Sequence, residues 1–151
     1  MDFQLSALIN SSKTLSMQKR CDSIMALVDK AEENGLKITA KEAEFIAEAE
    51  ENAVAEQQRV EIGTGVAALI TEKFIRSAYV TQESFAETIA ALVDIFYEAK
   101  EESLDMLSDD EIADIMFYFF EHVSEGSTEL LQGRDMEEFC RSIRNGGVRY
   151  E

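Results

Sequence analysis

The sequence predicts an all-α fold, a single-domain bundle of five or six helices, on three observations. Proline is absent from all 151 residues, so the residue that usually ends or kinks a helix is missing. Apolar residues recur three and four positions apart along most of the chain, as in helices that bury one face. No run alternates between apolar and polar residues for long enough to indicate a strand. We expect one continuous domain over residues 1–151, with residues 1–14 and 146–151 as candidate loose termini.

Helix start and stop signals predict two helices in the first part of the chain. The first covers residues 15–33 and ends at Gly35, because glycine readily adopts the left-handed backbone that closes a helix. The second begins at Thr39, which forms with Glu42 the Thr-x-x-Glu pattern of a capping box, and it ends near Val60.

The middle of the chain predicts three more helices. Gly63-Thr64-Gly65 breaks the chain, with its threonine as a candidate cap for the third helix, and Thr81 opens the fourth. Ser108 and Glu111 form a second capping box ahead of the fifth helix, which ends at Gly126. The apolar faces predicted for these helices are Val66, Leu69, Ile70, Phe74 and Ala78, then Phe85, Ile89, Leu92, Val93 and Phe96, then Ile112, Ile115, Met116, Phe119 and Val123.

The C-terminal region predicts a short helical turn and a last helix. The turn covers Ser127–Leu131 and ends at Gly133. Asp135 and Glu138 have the spacing of a third capping box, which places the start of the last helix at Asp135.

The charge balance argues against two classes of partner. The chain carries 14 Lys and Arg against 31 Asp and Glu, a net charge of −17. Nucleic acid and anionic lipid are both bound by clustered positive charge, so we expect no direct nucleic-acid or membrane partner. The N-terminus lacks the basic start and apolar run of a signal peptide, and no apolar stretch approaches the length of a membrane span. A cytoplasmic location is expected.

The motifs predict no catalytic residue, no cofactor and no metal site. His122 is the one histidine, which excludes the paired Glu-x-x-His motifs of a di-iron bundle and a His-rich zinc site. With Glu125, one turn away, it is either part of a weak metal site or a half-exposed histidine near a helix end. The Gly63-Thr64-Gly65 segment is either an anion-binding turn or a plain connector. Cys21 and Cys140 are expected to be reduced, mostly buried thiols.

Four consecutive aromatic residues, Phe117-Tyr118-Phe119-Phe120, are the unusual local feature of the sequence. Successive helix residues point about 100° apart, so such a helix must be surrounded by neighbours. It is a central core helix, a partner interface or the lining of a ligand pocket. Phe119 continues the predicted apolar face and is expected in the core. The candidate interaction surface consists of Phe117, Tyr118, Phe120 and His122.

Three segments, Gln58–Gly63, Leu107–Glu111 and Gly126–Leu131, resemble an uncharacterised family of small all-helical bacterial proteins. The resemblance implies a bacterial cytoplasmic origin and no assigned activity. Within these segments Arg59 and Glu61 are added to the candidate interaction surface, because they lie where a helix gives way to a glycine loop. The alternative for these two residues is a fixed ion pair.

Two functions remain open at this point. The first is a non-enzymatic acidic helical protein that binds or regulates another protein, or pairs with itself as a homodimer, through an apolar or acidic helix face. The second is a helical bundle that binds a small molecule or a metal, with or without enzymatic activity. Its pocket would lie among Phe96, Tyr97, Tyr118 and His122.

Overall fold

Helices account for the regular secondary structure of the computed structural model, which describes residues 16–57, 59 and 65–145, without the side chains of residues 134 and 135. No strand occurs within these residues, which confirms the all-α prediction. The expected loose termini, 1–14 and 146–151, lie outside them. In chain order the elements are α1 (16–25), α2 (Val28–Glu33), α3 (Ala40–Glu56), α4 (Val66–Phe74), α5 (Phe85–Glu102), α6 (Asp109–His122), α7 (Thr128–Leu130), a π-helix (Leu131–Met136) and α8 (Glu137–Arg144).

Two predicted capping boxes are present and fix the starts of α3 and α6. The hydroxyl of Thr39 accepts from the Glu42 amide at 3.2 Å, and the Glu42 carboxylate accepts from the Thr39 amide at 3.0 Å. Ser108 and Glu111 make the same two bonds at 3.1 and 2.8 Å. Gly35 has a φ of 80°, as predicted for the residue that closes a helix.

Several predicted boundaries are wrong by a few residues. The first predicted helix is interrupted by a turn at residues 26–27, which separates α1 from α2. α5 begins at Phe85 rather than at Thr81, because the Thr81 hydroxyl is bonded to the Ser84 hydroxyl at 2.9 Å instead of capping an amide. α4 ends at Phe74, so Ala78 lies beyond it and is exposed. The predicted boundary at Gly63 and the predicted cap at Thr64 lie outside the described residues.

The prediction that Asp135 starts the last helix is wrong. Ser127 caps this region by accepting from the Leu130 amide, and the chain then continues through the π-helix into α8 without a break. Leu131 and Met136 are five positions apart and both are buried. A π-helix has more residues per turn than an α-helix, so it brings positions five apart onto the same face. Gly133 is therefore accommodated inside a helical segment and does not end it.

α5 is the central helix of the bundle and packs against α3, α4, α6 and α8. Both ends of its buried face carry large apolar side chains, with Phe85 at one end and Phe96 near the other, each fully buried. If α1 and α2 count as one bent helix, and α7 to α8 as one segment, the described residues form six helices around one core. No described helix is long and apolar enough to cross a membrane.

The aromatic run of α6 is divided between core and surface. Phe120 is fully buried and meets Phe74 edge-on, with ring centroids 5.2 Å apart. Phe119, which was expected in the core, is only half-buried and contacts Phe139. Val123 lies past the end of α6 and is 39% exposed. The buried face runs through Ile112, Ala113, Met116 and Phe120 because α6 meets α4 and α5 along that line.

Candidate interaction groove

A groove lies between α5 and the segment formed by α7, the π-helix and α8. It consists of two adjoining cavities of about 610 and 460 Å³ that share Glu98, Glu129 and Gln132. We call these two cavities together the acidic groove. Its floor includes apolar side chains from α5, among them Ile95.

The π-helix shapes one wall of the acidic groove. Met136 is turned into the core by the extra residue of the π-turn and closes the wall from below. Gly133 lies on the same wall, and a Cβ placed on it would meet no atom within 4 Å. The glycine therefore leaves the backbone of this turn open to a bound molecule. Single π-turns occur frequently at functional sites, which makes this wall a candidate binding surface.

Negative charge dominates the lining of the acidic groove. Among the side chains that the structure describes, the lining contains seven carboxylates and no Lys or Arg, and the carboxylates are Glu56, Asp94, Glu98, Glu101, Glu102, Glu129 and Glu137.

Two of these carboxylates are neutralised by cations outside the lining. Arg144 pairs with Glu102 at 3.0 Å and Arg141 pairs with Glu137 at 2.9 Å. Glu98 receives a neutral donor instead, since the amide nitrogen of Gln132 lies 2.8 and 2.9 Å from its two oxygens. The groove therefore keeps a strong negative field across α5.

This negative field also affects the pKa of Asp94. Partial burial raises the pKa of the Asp94 carboxyl, and the neighbouring charges of Glu98 and Glu56 raise it further. The ionised form of Asp94 is disfavoured first by burial and then by the like charges beside it. A cation bound in the groove would favour the ionised form of Asp94 and lower its pKa. The charge of the groove is therefore complementary to a positive group.

A displayed loop lies at one end of the groove, between α5 and α6, and we call residues 103–108 the α5–α6 loop. Leu104 and Asp105 both have left-handed backbone, with φ of 56° and 58°, which is uncommon for leucine. Leu104 and Met106 are 62% and 59% exposed. The loop therefore presents two large apolar side chains to solvent. Unfavourable backbone of this kind persists where surrounding contacts impose it.

Arg59 holds the α5–α6 loop in place. Its guanidinium forms a two-pronged pair with the Asp105 carboxylate, at 2.9 and 3.2 Å. These hydrogen bonds lower the pKa of Asp105, helped by the charges of Arg59 and Lys100 and opposed by slight burial. Arg59 also donates to the side chain of Gln57, which lines the groove. One arginine thus links the groove wall to the loop.

Arg59 was predicted as a candidate interaction residue together with Glu61. Glu61 lies outside the described residues. Among the described residues, Arg59 forms an ion pair with Asp105, 46 positions along the chain. The pairing of Arg59 with Asp105 was not predictable from the sequence, because it depends on how α3 and α5 pack.

The predicted aromatic surface is separated into three environments. Tyr118 is 58% exposed, and its ring lies 5.1 Å from the ring of His122, which is also exposed. Phe117 is half-buried, with the Arg76 guanidinium 6.0 Å from its ring centroid. Phe120 belongs to the core, so its assignment to a surface is wrong. Only Tyr118 and His122 form an exposed pair.

The pocket expected among Phe96, Tyr97, Tyr118 and His122 is not assembled. Phe96 and Tyr97 are buried on α5, whereas Tyr118 and His122 are exposed on α6. Tyr97 instead lines the smaller cavity of the acidic groove.

Metal and thiol chemistry find little support. In the part of the chain that the structure describes, no three His, Cys, Asp or Glu side chains are grouped so as to hold a metal ion. The thiol of Cys140 is buried, and burial followed by the charge of Glu102 raises its pKa to about 11. Burial and two neighbouring carboxylates also raise the pKa of Cys21. Both cysteines are therefore poor nucleophiles at neutral pH.

Neither the groove nor one interior glutamate was predicted from the sequence. The positions of Asp94, Glu98 and Glu101 are four and three apart, which is a signal that they share one face of a helix. In a chain this acidic that signal is not distinctive. Glu50 is fully buried among α3, α4 and α5, and nothing in its sequence context separates it from the exposed glutamates around it.

Residues 23–149 match a family of unknown function (DUF6323), and the chain belongs to that family. The matched region contains the acidic groove, the α5–α6 loop and the three segments that carry the resemblance seen in the sequence. No curated protein and no solved structure matches the chain.

Proposed function

We propose that this member of the family is a non-catalytic interaction protein that binds a Lys- or Arg-rich segment of a partner protein in the acidic groove. The observation that carries the proposal is the groove itself, whose described lining residues include seven carboxylates and no Lys or Arg. Complementary charge of this kind accelerates association and selects against acidic competitors. We place this activity in the cytoplasm of a bacterium, as the sequence resemblance implies.

The groove and the α5–α6 loop together specify the chemistry of the partner. Ile95 and Met136 give the groove an apolar floor beneath its carboxylates. Leu104 and Met106 add exposed apolar side chains on the loop that directly follows the groove-lining Glu102 in the chain. The matching segment carries lysines or arginines along one side and apolar residues beside them. An amphipathic basic helix has this pattern.

Self-association through the acidic groove is disfavoured by charge. A two-fold interface places the same surface on both chains, so the two sets of carboxylates would face each other. Repulsion between them would oppose the contact. A homodimer would therefore have to use another surface, such as the exposed pair of Tyr118 and His122 on α6.

The proposal is tested with a labelled synthetic peptide whose lysines and leucines alternate in helical register, titrated with the protein while fluorescence anisotropy is followed. We expect binding that weakens as salt is added. The double variant Glu98→Lys with Glu129→Lys should weaken binding by about tenfold or more, because both residues line both cavities.

The matched control is Glu32→Lys with Glu87→Lys, which changes net charge by the same amount at exposed positions that do not line the groove. Equal weakening by the two double variants would mean that only the overall charge attracts the peptide, and it would refute the groove proposal. Retained binding of a peptide with glutamate in place of lysine would also contradict it.

A small cationic ligand is the second candidate occupant of the groove. The larger cavity, at about 610 Å³, falls in the range of small-molecule sites. Native mass spectrometry of the purified protein distinguishes the two, because a retained small molecule adds a discrete mass. The Glu98→Lys and Glu129→Lys variant should then lose that mass while the control variant keeps it.

A further inference from the structure

The interior holds one buried carboxylate that the groove does not use. Glu50 on α3 is fully buried, and one of its oxygens accepts from the Ala67 amide at the start of α4, at 3.1 Å. The other oxygen lies 3.4 Å from the Tyr97 hydroxyl of α5. Three helices therefore build an acceptor site around one negative charge. We call Glu50, the Ala67 amide and the Tyr97 hydroxyl the Glu50 site.

Among the described residues, Arg20 of α1 brings a positive charge to this site. Arg20 is 4% exposed, and its Nε lies 3.4 Å from Glu50, while its Nη1 lies 3.3 Å from Glu51. Nη1 also donates to the Ser16 hydroxyl at 2.8 Å. Nε is a buried donor that makes no hydrogen bond with any described residue. Arginine therefore supplies the correct charge with incomplete hydrogen bonding.

The geometry of the pair limits how firmly it holds α1. A well-matched guanidinium and carboxylate form two parallel bonds of about 2.7–2.9 Å. Burying both charges carries a large desolvation penalty that only such geometry offsets. The contacts of Arg20 with the two glutamates are longer than that. The Glu50 site is therefore occupied by a side chain that fits it imperfectly.

Most side chains of α1 are not fully buried against the rest of the bundle. Of the residues of α1 that the structure describes, Arg20 and Ile24 are buried and the others are half-buried or exposed. The turn at residues 26–27 separates α1 from α2 and provides a place for the chain to bend. Ile24 is the fully buried apolar anchor of α1, Met17, Cys21 and Met25 pack against the core while only partly buried, and Arg20 adds the imperfect ion pair.

We propose that the Glu50 site is an acceptor for a guanidinium group, that Arg20 fills it from within the chain, and that an arginine of a partner protein can replace Arg20 as α1 moves away. This inference does not rest on the groove proposal, because Glu50 is not among the groove-lining residues, and Tyr97, which does line the smaller cavity, is left unchanged in the tests. It makes α1 a displaceable arm that covers a second, arginine-specific contact.

Hydrogen exchange of the full-length protein, read by mass spectrometry, tests the arm. We expect Arg20→Ala to accelerate exchange in residues 16–25 by about tenfold while exchange in α5 stays as in the unmodified protein. Lys19→Ala, a change at the exposed neighbouring position, should leave both regions unchanged. Simultaneous loss of protection in α1 and α5 would show that α1 is integral to the fold, and unchanged protection of α1 would show that Arg20 does not hold it. Either result overturns the proposal.

Chemical rescue tests the specificity of the site. Methylguanidinium at millimolar concentration should raise the Tm of Arg20→Ala and slow the exchange of residues around Glu50, whereas methylammonium at the same concentration should not. The response should disappear in the double variant with Glu50→Gln. If methylguanidinium and methylammonium have equal effects, any cation can screen the charge of Glu50, and the inference of an arginine-specific site is refuted. If Arg20→Ala does not fold, Arg20→Lys replaces it, because lysine keeps the positive charge but lacks the planar guanidinium. Hydrogen exchange in α1 of Arg20→Lys that equals the exchange in the unmodified protein would also refute the proposal.

Discussion

The Glu50 site and the acidic groove treat the same chemical group in opposite ways. Glu50 is fully buried, and its partners among the described residues include an amide, a hydroxyl and a guanidinium from three other helices. The carboxylates of the groove lie at the surface, crowd one another and share few cations. In the first region the charge of Glu50 is matched by hydrogen-bond donors and a guanidinium from other helices. In the second, negative charge accumulates, and it adds to the effect of burial in raising the pKa of Asp94.

The difference separates what stabilises the fold from what is available for binding. A buried charge is tolerated only with partners, so the contacts of Glu50 are required by the packing of α3 against α4 and α5. Surface carboxylates gain little from one another and are not required for folding. Charge that the fold does not need, gathered around one groove, is consistent with a role in recognition.

The largest expected effect compares one glutamate from each region. Glu50→Ala removes the acceptor for the Ala67 amide and leaves Arg20 without its buried partner, so unfolding free energy should fall by about 3 kcal/mol. This lies at the low end for breaking a buried pair, because α1 can carry Arg20 towards water. Glu98→Ala, on the groove, should change stability by no more than about 0.5 kcal/mol. Urea denaturation of both variants measures the two changes in unfolding free energy. Similar losses would show that the two regions do not differ in their contribution to stability.

The fold was largely predictable because local signals and packing agree along most of the chain. The capping boxes at Thr39 and Ser108 and the turn at Gly35 were readable, since each depends on residues no more than a few positions apart. The π-helix was not readable, because it depends on Leu131 and Met136 both meeting the core. The same reason explains Phe119 and Phe120, whose burial is decided by where α4 and α5 lie.

The candidate site was much less predictable than the fold. Arg59 was singled out from the sequence, but its partner Asp105 is 46 positions away and is found only from the packing of helices. Tyr118 and His122 were predicted on the surface and are exposed. Glu50 and the groove were not predicted, because in a chain with 31 acidic residues the sequence does not indicate which glutamates are buried or which lie together.

A smaller effect is expected at the helix starts, where partnered and unpartnered hydroxyls can again be compared. Ser108→Ala removes the acceptor for the Glu111 amide and should lower unfolding free energy by about 1 kcal/mol. Ser84 is the matched control, because it occupies the same position before α5 but accepts no amide. Ser84→Ala should therefore cost clearly less. If thermal denaturation shows equal losses at both positions, the capping bonds are not what fixes these helix starts.

The smallest effect concerns pH, and it contrasts Asp94 in the groove with Asp105 on the loop. The pKa of Asp94 is raised in the folded protein, so its ionised form weakens folding at neutral pH. Asp94→Asn should therefore raise unfolding free energy by a few tenths of a kcal/mol at neutral pH, since the group is exposed and its interactions are screened. That gain should shrink as pH falls through the raised pKa of Asp94 and vanish below the unfolded value near 4.

Asp105 should behave with the opposite sign, because its folded pKa is lowered by Arg59. Its ionised form supports folding, a contribution that is present above the unfolded pKa and is lost as pH falls through the folded pKa. Asp105→Asn should therefore slightly destabilise the protein at neutral pH, and the difference from the unmodified chain should close in strong acid. Urea midpoints measured from neutral to acidic pH provide the test for both variants. Changes of the same sign at neutral pH would show that the loop and the groove do not differ electrostatically, because only a crowded carboxylate gains from neutralisation and only a paired one loses.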